Sequence, residues 1–272
     1  MYCEYYGLKE NPFNVTSDPN YLFMSRHHKE AYSHLVYGIK ERKGFIEITG
    51  EIGTGKTTLC RALLKEIGSN IKTALILNPA LSEIQLLQSI LEDLGLKSVG
   101  KNKYSLLKVL NDFLIKQLSH GHNVVLIIDE AQNLNSRMLE HIRLLSNLET
   151  EKEKLIQIVL VGQPQLKEKL QCEELTQLRQ RIAVRYHIPP LDKDELRDYI
   201  YHRLKVACCV KEVIFTDSAT DQLYSYTLGT PRLINIVCDK VLLTGFVQET
   251  TFFNADIVNK AIEEIEGKIT VK

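Results

Sequence analysis

The chain has 272 residues, 44% of them apolar and 25% charged, and its 34 lysines and arginines equal its 34 aspartates and glutamates. That composition suits a globular protein with a sizeable core. It excludes an overall electrostatic pull toward nucleic acid or anionic membrane, leaving only local patches for such contacts. The six cysteines form no C-x-x-C and stand beside no histidine cluster at zinc spacing. They read as small buried apolar residues in a reducing compartment. The first residues lack the basic and apolar regions of a signal peptide. No apolar run approaches the ~20 residues that cross a bilayer. The expected location is the cytoplasm, or the periphery of an inner membrane if a membrane partner holds the protein there.

Residues 1–25 carry turn formers, Asn11-Pro12-Phe13-Asn14 and Ser17-Asp18-Pro19-Asn20, interleaved with Tyr5, Tyr6, Phe13, Tyr21 and Phe23. This predicts an irregular arm packed by its rings. A helix is expected from about His27 to Arg42, with Ala31, Leu35, Val36 and Ile39 on one face. The β-prone run Phe45–Thr49 then leads into Gly50-Glu51-Ile52-Gly53-Thr54-Gly55-Lys56-Thr57, and a helix-like run follows from Thr58.

The pattern G-x-x-x-x-G-K-T between a strand and a helix is a phosphate loop. Glycines tolerate positive φ and let the backbone wrap an anion. The exposed amides then converge at a helix N-terminus. The candidate binding residues are Gly50, Glu51, Ile52, Gly53, Thr54, Gly55, Lys56, Thr57 and Thr58. Lys56 is placed as a point charge for the β- and γ-phosphates, and Thr57 as a Mg²⁺ ligand.

Lys72–Leu77 reads as a second strand, and Ser82 as the N-cap of a helix holding Ile84, Leu86, Leu87, Ile90 and Leu94. Another helix runs from about Ser105. Val124–Ile128, Leu155–Val161 and Ala183–His187 complete five strands. Apolar strands separated by helices indicate a parallel sheet covered on both faces. After Pro189-Pro190 the pattern is helical throughout, at about 192–207, 216–226, 231–245 and 255–266. The expected domains are therefore an α/β core with its aromatic arm at 1–190 and a small helical domain at 191–272.

Strand Val124–Ile128 ends in Asp129-Glu130. A carboxylate at the C-terminal edge of a parallel sheet lies where such folds bind ligands. Asp129 is the candidate Mg²⁺ ligand, and Glu130 the candidate base that polarises an attacking water. Gln163 ends the next strand. It is either a hydrogen-bond partner for the γ-phosphate or its water, or a turn residue before Pro164. Arg179 and Arg181 precede the fifth strand, and Arg232 follows Gly229-Thr230-Pro231 at a helix start. Each arginine meets a phosphate or belongs to a solvated face.

In this order the motifs resemble the AAA+ ATPases. Tyr6-Gly7-Leu8-Lys9-Glu10-Asn11-Pro12-Phe13, Leu178-Arg179-Gln180-Arg181-Ile182 and Gly229-Thr230-Pro231-Arg232 look like the "general secretion pathway protein A" ATPases of type II secretion and their pilus-associated relatives. The resemblance implies a P-loop NTPase fold with a five-stranded parallel core and a helical lid. It implies ATP rather than another nucleotide, with Mg²⁺. It makes Lys56 and Thr57 the Walker A pair and Asp129 and Glu130 the Walker B pair. Gln163 stands at the first-sensor position, where many relatives carry Asn. Arg181 matches the arginine finger best and Arg179 second, and Arg232 matches the second sensor. The expected function is an ATP-hydrolysing assembly switch that needs oligomerisation, with a second copy of the chain in a ring or filament and a secretion-system or membrane protein as partners. Full secretion-pathway members continue into a transmembrane helix and a peptidoglycan-binding region, and this sequence stops at Lys272. The alternative is a DNA-bound transposition regulator that polymerises on DNA and recruits a transposase.

Overall fold

A computed structural model describes residues 1–97, 102–151 and 153–268. In chain order its elements are α1 (Tyr2–Tyr6), α2 (Arg26–Lys40), β1 (Phe45–Gly50), α3 (Lys56–Glu66), β2 (Ile71–Ile76), α4 (Glu83–Asp93), α5 (Lys103–Ser119), β3 (Asn123–Ile128), α6 (Ser136–Leu145), β4 (Gln157–Gly162), α7 (Pro164–Leu170), α8 (Thr176–Arg181), β5 (Ile182–Ile188), α9 (Lys193–Val206), β6 (Ile214–Phe215), α10 (Asp217–Thr227), α11 (Pro231–Val247), β7 (Phe252–Phe253) and α12 (Ala255–Ile265). They form two compact units. One comprises residues 29–51 and 59–188, the other residues 1–28, 52–58 and 189–268.

The first unit holds the five-stranded sheet, all parallel, in the order β2-β3-β4-β1-β5. Its three inner strands, β3, β4 and β1, are buried at every residue, as runs without polar alternation require. The edge strand β5 instead alternates buried with more exposed residues, Ile182 and Val184 against Ala183 and Arg185, because successive side chains point to opposite faces and one face is less covered there. On one face Leu126, Ile128, Ile158 and Leu160 pack with Leu87, Ile90, Leu106, Leu110 and Ile142 of α4, α5 and α6. Full burial of each such side chain contributes about 1.5–3 kcal/mol. Ser82 begins α4 with a reciprocal capping box to Gln85, satisfying two orphan groups at the helix start.

The second unit gathers around α9, α10, α11 and α12. Ile200, Leu223, Val237, Val241 and Val258 form its core, and the arm adds Tyr6, Leu8, Phe13 and Tyr21. The arm therefore clusters with the helical part, not with the α/β core as the expected 1–190 boundary had it. Its rings explain why, since their apolar area needs the α9–α11 surface. Buried Arg203 fixes it further, donating from Nε to the Pro12 carbonyl at 2.5 Å and from Nη2 to the Asn14 carbonyl at 3.0 Å. The arm is also less irregular than expected, because it starts with α1.

A second correction concerns the region after Pro190. It is not helical throughout, because β6 and β7 pair in parallel. Residues 269–272 of the expected helical domain lie outside the described residues, as do residues 98–101 and 152 of the expected core. The cysteines also differ from expectation. Cys60 and Cys238 are buried, but Cys172 and Cys208 are exposed. Among the described residues no helix is long and apolar enough to cross a membrane.

One carboxylate interrupts the apolar β1. Glu47 is buried, with Arg185 Nε 3.2 Å from its Oε2. Burial raises its carboxyl above the ordinary value, and Arg185 and Lys167 oppose this only in part. A raised folded value means that the folded state holds the proton more tightly. The stability this contributes is present at low pH and lost as pH rises through the raised value. Glu47→Gln is expected to be more stable than the parent chain at neutral pH, with the advantage shrinking as pH falls into the carboxylate range. Urea midpoints across that range check it.

Candidate functional site

Residues 52–57 of the phosphate loop belong to the second unit. Gly53 and Gly55 sit at φ +82° and +92°, which a side chain resists. Space forbids one at Gly53 as well, because an added Cβ would lie 2.5 Å from Arg232 Cβ. The Arg232 backbone N–H donates to the Gly53 carbonyl at 3.2 Å. The start of α11 is thus laid against the loop, with Pro231 at the first helical position. Lys56 opens α3 and is buried, as is Thr54, whereas the Ile52 side chain is exposed. Glycines at positive φ followed by a lysine at a helix start form a cradle that fits a polyphosphate.

Beneath the loop lies a residue that the sequence reading missed. His28 is buried, and its Nε2 is 2.9 Å from the Thr54 carbonyl. Its sequence signal is weak, because the two residues are 26 positions apart and no motif joins them.

The carboxylates belong to the sheet unit. Asp129 follows β3 and is buried. Its Oδ1 accepts the Glu130 N–H at 2.9 Å, and its own N–H donates to the Ile76 carbonyl at 2.8 Å. Glu130 adopts a left-handed backbone, φ 52°, an uncommon conformation for a non-glycine residue that clusters at functional sites. Its Oε2 accepts from Gln163 Nε2 at 3.1 Å and from Gln132 Nε2 at 2.5 Å. The Gln132 Oε1 in turn accepts the Gln163 N–H at 3.0 Å. Gln163 thus precedes α7 and also bonds Glu130, and Gln132, which the sequence reading did not single out, bonds both. Lys169 Nζ donates to the Gln132 and Leu134 carbonyls, both at 2.6 Å, and holds that turn in place.

The two arginines before β5 differ. Arg181 is half-buried, donating from Nη1 to Ser146 Oγ at 2.7 Å and to Asn147 Oδ1 at 2.6 Å. Arg179 is exposed, with Nη1 3.3 Å from the Gln171 carbonyl. Among the described residues no three His, Cys, Asp or Glu side chains gather to hold a metal ion. A buried carboxylate such as Asp129 and a hydroxyl such as that of Thr57 are each oxygen donors of the kind magnesium takes.

Comparison with known proteins agrees with this geometry. An AAA domain model matches residues 39–170. The parallel sheet order and the phosphate loop fall in and around that match. Residues 39–170 thus form an AAA domain. General secretion pathway protein A of Aeromonas hydrophila is 42% identical over 270 residues, which cover 98% of this chain and 49% of that protein. The chain thus spans about half the length of the curated relative it matches. The Aeropyrum pernix ORC2 protein, solved as ADPNP–ADP complexes, superposes with a TM-score of 0.67 at 18% identity, covering 96% of this chain and 73% of that one. Drosophila ORC bound to DNA gives 0.65 at 20% identity, covering 88% and 60%. At such identities these structures speak for the fold alone.

Gln132→Leu removes both the donor to Glu130 and the acceptor for the Gln163 N–H. A half-buried amide of this kind contributes about 1 kcal/mol. The expected outcome is a loss of that size in urea denaturation. An unchanged midpoint contradicts the hydrogen bonds described.

Proposed function

We propose that this AAA+ chain binds and hydrolyses ATP with Mg²⁺ and uses the nucleotide to switch an assembly of its own copies, in a secretion or pilus-type system. The observation that supports it most is the phosphate loop, with Gly53 and Gly55 at positive φ, Lys56 at the start of α3 and Arg232 laid against Gly53. The loop amides and Lys56 take the β- and γ-phosphates. Thr57 and Asp129 are the residues whose oxygens would hold magnesium. The ion, when bound, neutralises charge on the transferring phosphoryl group. Glu130 takes the proton of the attacking water, oriented for it by the amides of Gln163 and Gln132. Arg181 of a neighbouring copy, or the more exposed Arg179, answers the developing charge, so hydrolysis depends on assembly. Arg232 carries the state of the phosphates to α11, because its backbone already bonds the loop. The lid then changes how copies and a membrane or secretion partner fit together.

The likeness to general secretion pathway protein A supports the secretion setting. A DNA-bound transposition regulator shares the same core, but a balanced charge supplies no general attraction to phosphate backbones.

The test uses the full chain with a fluorescent ATP analogue and a phosphate-release assay. Lys56→Ala is expected to abolish binding. Glu130→Gln is expected to bind normally and hydrolyse about 10²-fold more slowly or worse. Full turnover by Glu130→Gln overturns the assignment of the base. A salt-titrated DNA-binding measurement in the same samples separates the alternative, since real phosphate contacts weaken steeply with salt.

A further inference from the structure

We infer that His28 is a positioning residue that sets the phosphate loop in its anion-binding form, held in the required tautomer by Ser25. The inference rests on the nucleotide-binding reading above and concerns how the loop keeps its shape. The His28 ring is buried at the start of α2. Its Nε2 meets the Thr54 carbonyl at 2.9 Å and its Nδ1 meets Ser25 Oγ at 2.7 Å. Its backbone N–H donates to the same Ser25 Oγ at 3.2 Å. The ring also lies flush under Gly55, where an added Cβ would come within 3.1 Å of Nε2.

These contacts fix the proton. A carbonyl only accepts, so Nε2 carries the hydrogen. The neutral ring then has a bare Nδ1, which accepts from the Ser25 hydroxyl, while the Ser25 oxygen accepts the His28 N–H. Burial favours that neutral form and lowers the ring below the usual imidazole value. The Thr54 carbonyl and Glu195 oppose the shift, and His27 adds to it. Glu195 belongs to α9, where its Oε1 accepts the Arg26 N–H at 2.8 Å.

The consequence for the loop follows from peptide geometry. In a trans peptide the C=O and the next N–H point in opposite directions. Pinning the Thr54 carbonyl on His28 therefore turns the Gly55 N–H to the side away from the ring. It also prevents a flip that would aim a carbonyl oxygen at an anion. Gly55 at φ +92° has no side chain to hold this peptide by itself, so the constraint comes from below. Ser25 is the gauge. Without its hydroxyl the ring is free to carry its proton on Nδ1, which sets the Nε2 lone pair against the carbonyl.

The test measures the affinity of a fluorescent Mg-ATP analogue, steady-state hydrolysis and nucleotide-free thermal midpoints for the full chain and its variants. His28→Ala is expected to weaken binding about tenfold, the loss of one buried hydrogen bond. KM should rise while kcat at saturation changes less than about twofold. His28→Gln restores most of the affinity, because its amide still donates to Thr54. Ser25→Ala falls between. If wild type binds and Lys56→Ala does not, yet His28→Ala binds as tightly as wild type, the inference is overturned. If wild type binds nothing, the nucleotide reading fails instead. Should His28→Ala not fold, ¹⁵N imidazole spectra of wild type decide. A neutral Nε2–H tautomer at neutral pH supports the inference, and an Nδ1–H or doubly protonated ring overturns it.

Discussion

The constraint on which the phosphate loop depends is a backbone held in one shape just before the start of α3. The first N–H groups of any α-helix point out of its N-terminus, and the helix dipole adds positive potential there. A helix start of this kind is stable bare only if the preceding backbone is held in a shape that water can still reach. Two glycines at positive φ, the Arg232 N–H on the Gly53 carbonyl and the His28 ring on the Thr54 carbonyl hold it here. The carbonyls of Gly53 and Thr54 are thereby held from outside the loop.

In the sheet unit a comparable economy governs the carboxylates. Parallel strands deliver their C-terminal ends to one edge, and the register sets Ile128 beside Leu160. The residues that follow, Asp129 and Gln163, then lie at that edge. The left-handed turn at Glu130 sends the chain into a short 3₁₀ turn at Ala131–Asn133, which brings Gln132 back to the Glu130 side chain. Two amides on one carboxylate oxygen fix its direction.

Much of this was legible in the sequence, and the reasons divide by range. The inner strands of the sheet are visible because burial on both faces demands nearly unbroken apolar runs, and Val124–Ile128 is such a run. The phosphate loop is visible because its spacing is itself the chemistry. The α4 start is visible because a capping box is local, Ser82 to Gln85. What escaped depends on partners far along the chain. His28 meets Thr54 after 26 residues, Gln132 meets Gln163 after 31, and Glu47 meets Arg185 after 138. None of these pairs leaves a periodic trace. The short α6, α7 and α8 and the two-residue β6 and β7 are too brief to show a repeat. The arm's membership was misjudged because aromatic rings announce that they will be buried, not against what.

The central claim is that the loop from Gly50 to Thr57 is a triphosphate cradle. A crystal structure of the full chain grown with magnesium and a non-hydrolysable ATP analogue tests it most directly. The account predicts phosphate oxygens within hydrogen-bond distance of the backbone amides of residues 53–57, with the Lys56 ammonium on the β- and γ-phosphates. Analogue bound elsewhere at full occupancy, with the loop amides facing solvent or the protein's own side chains, contradicts it.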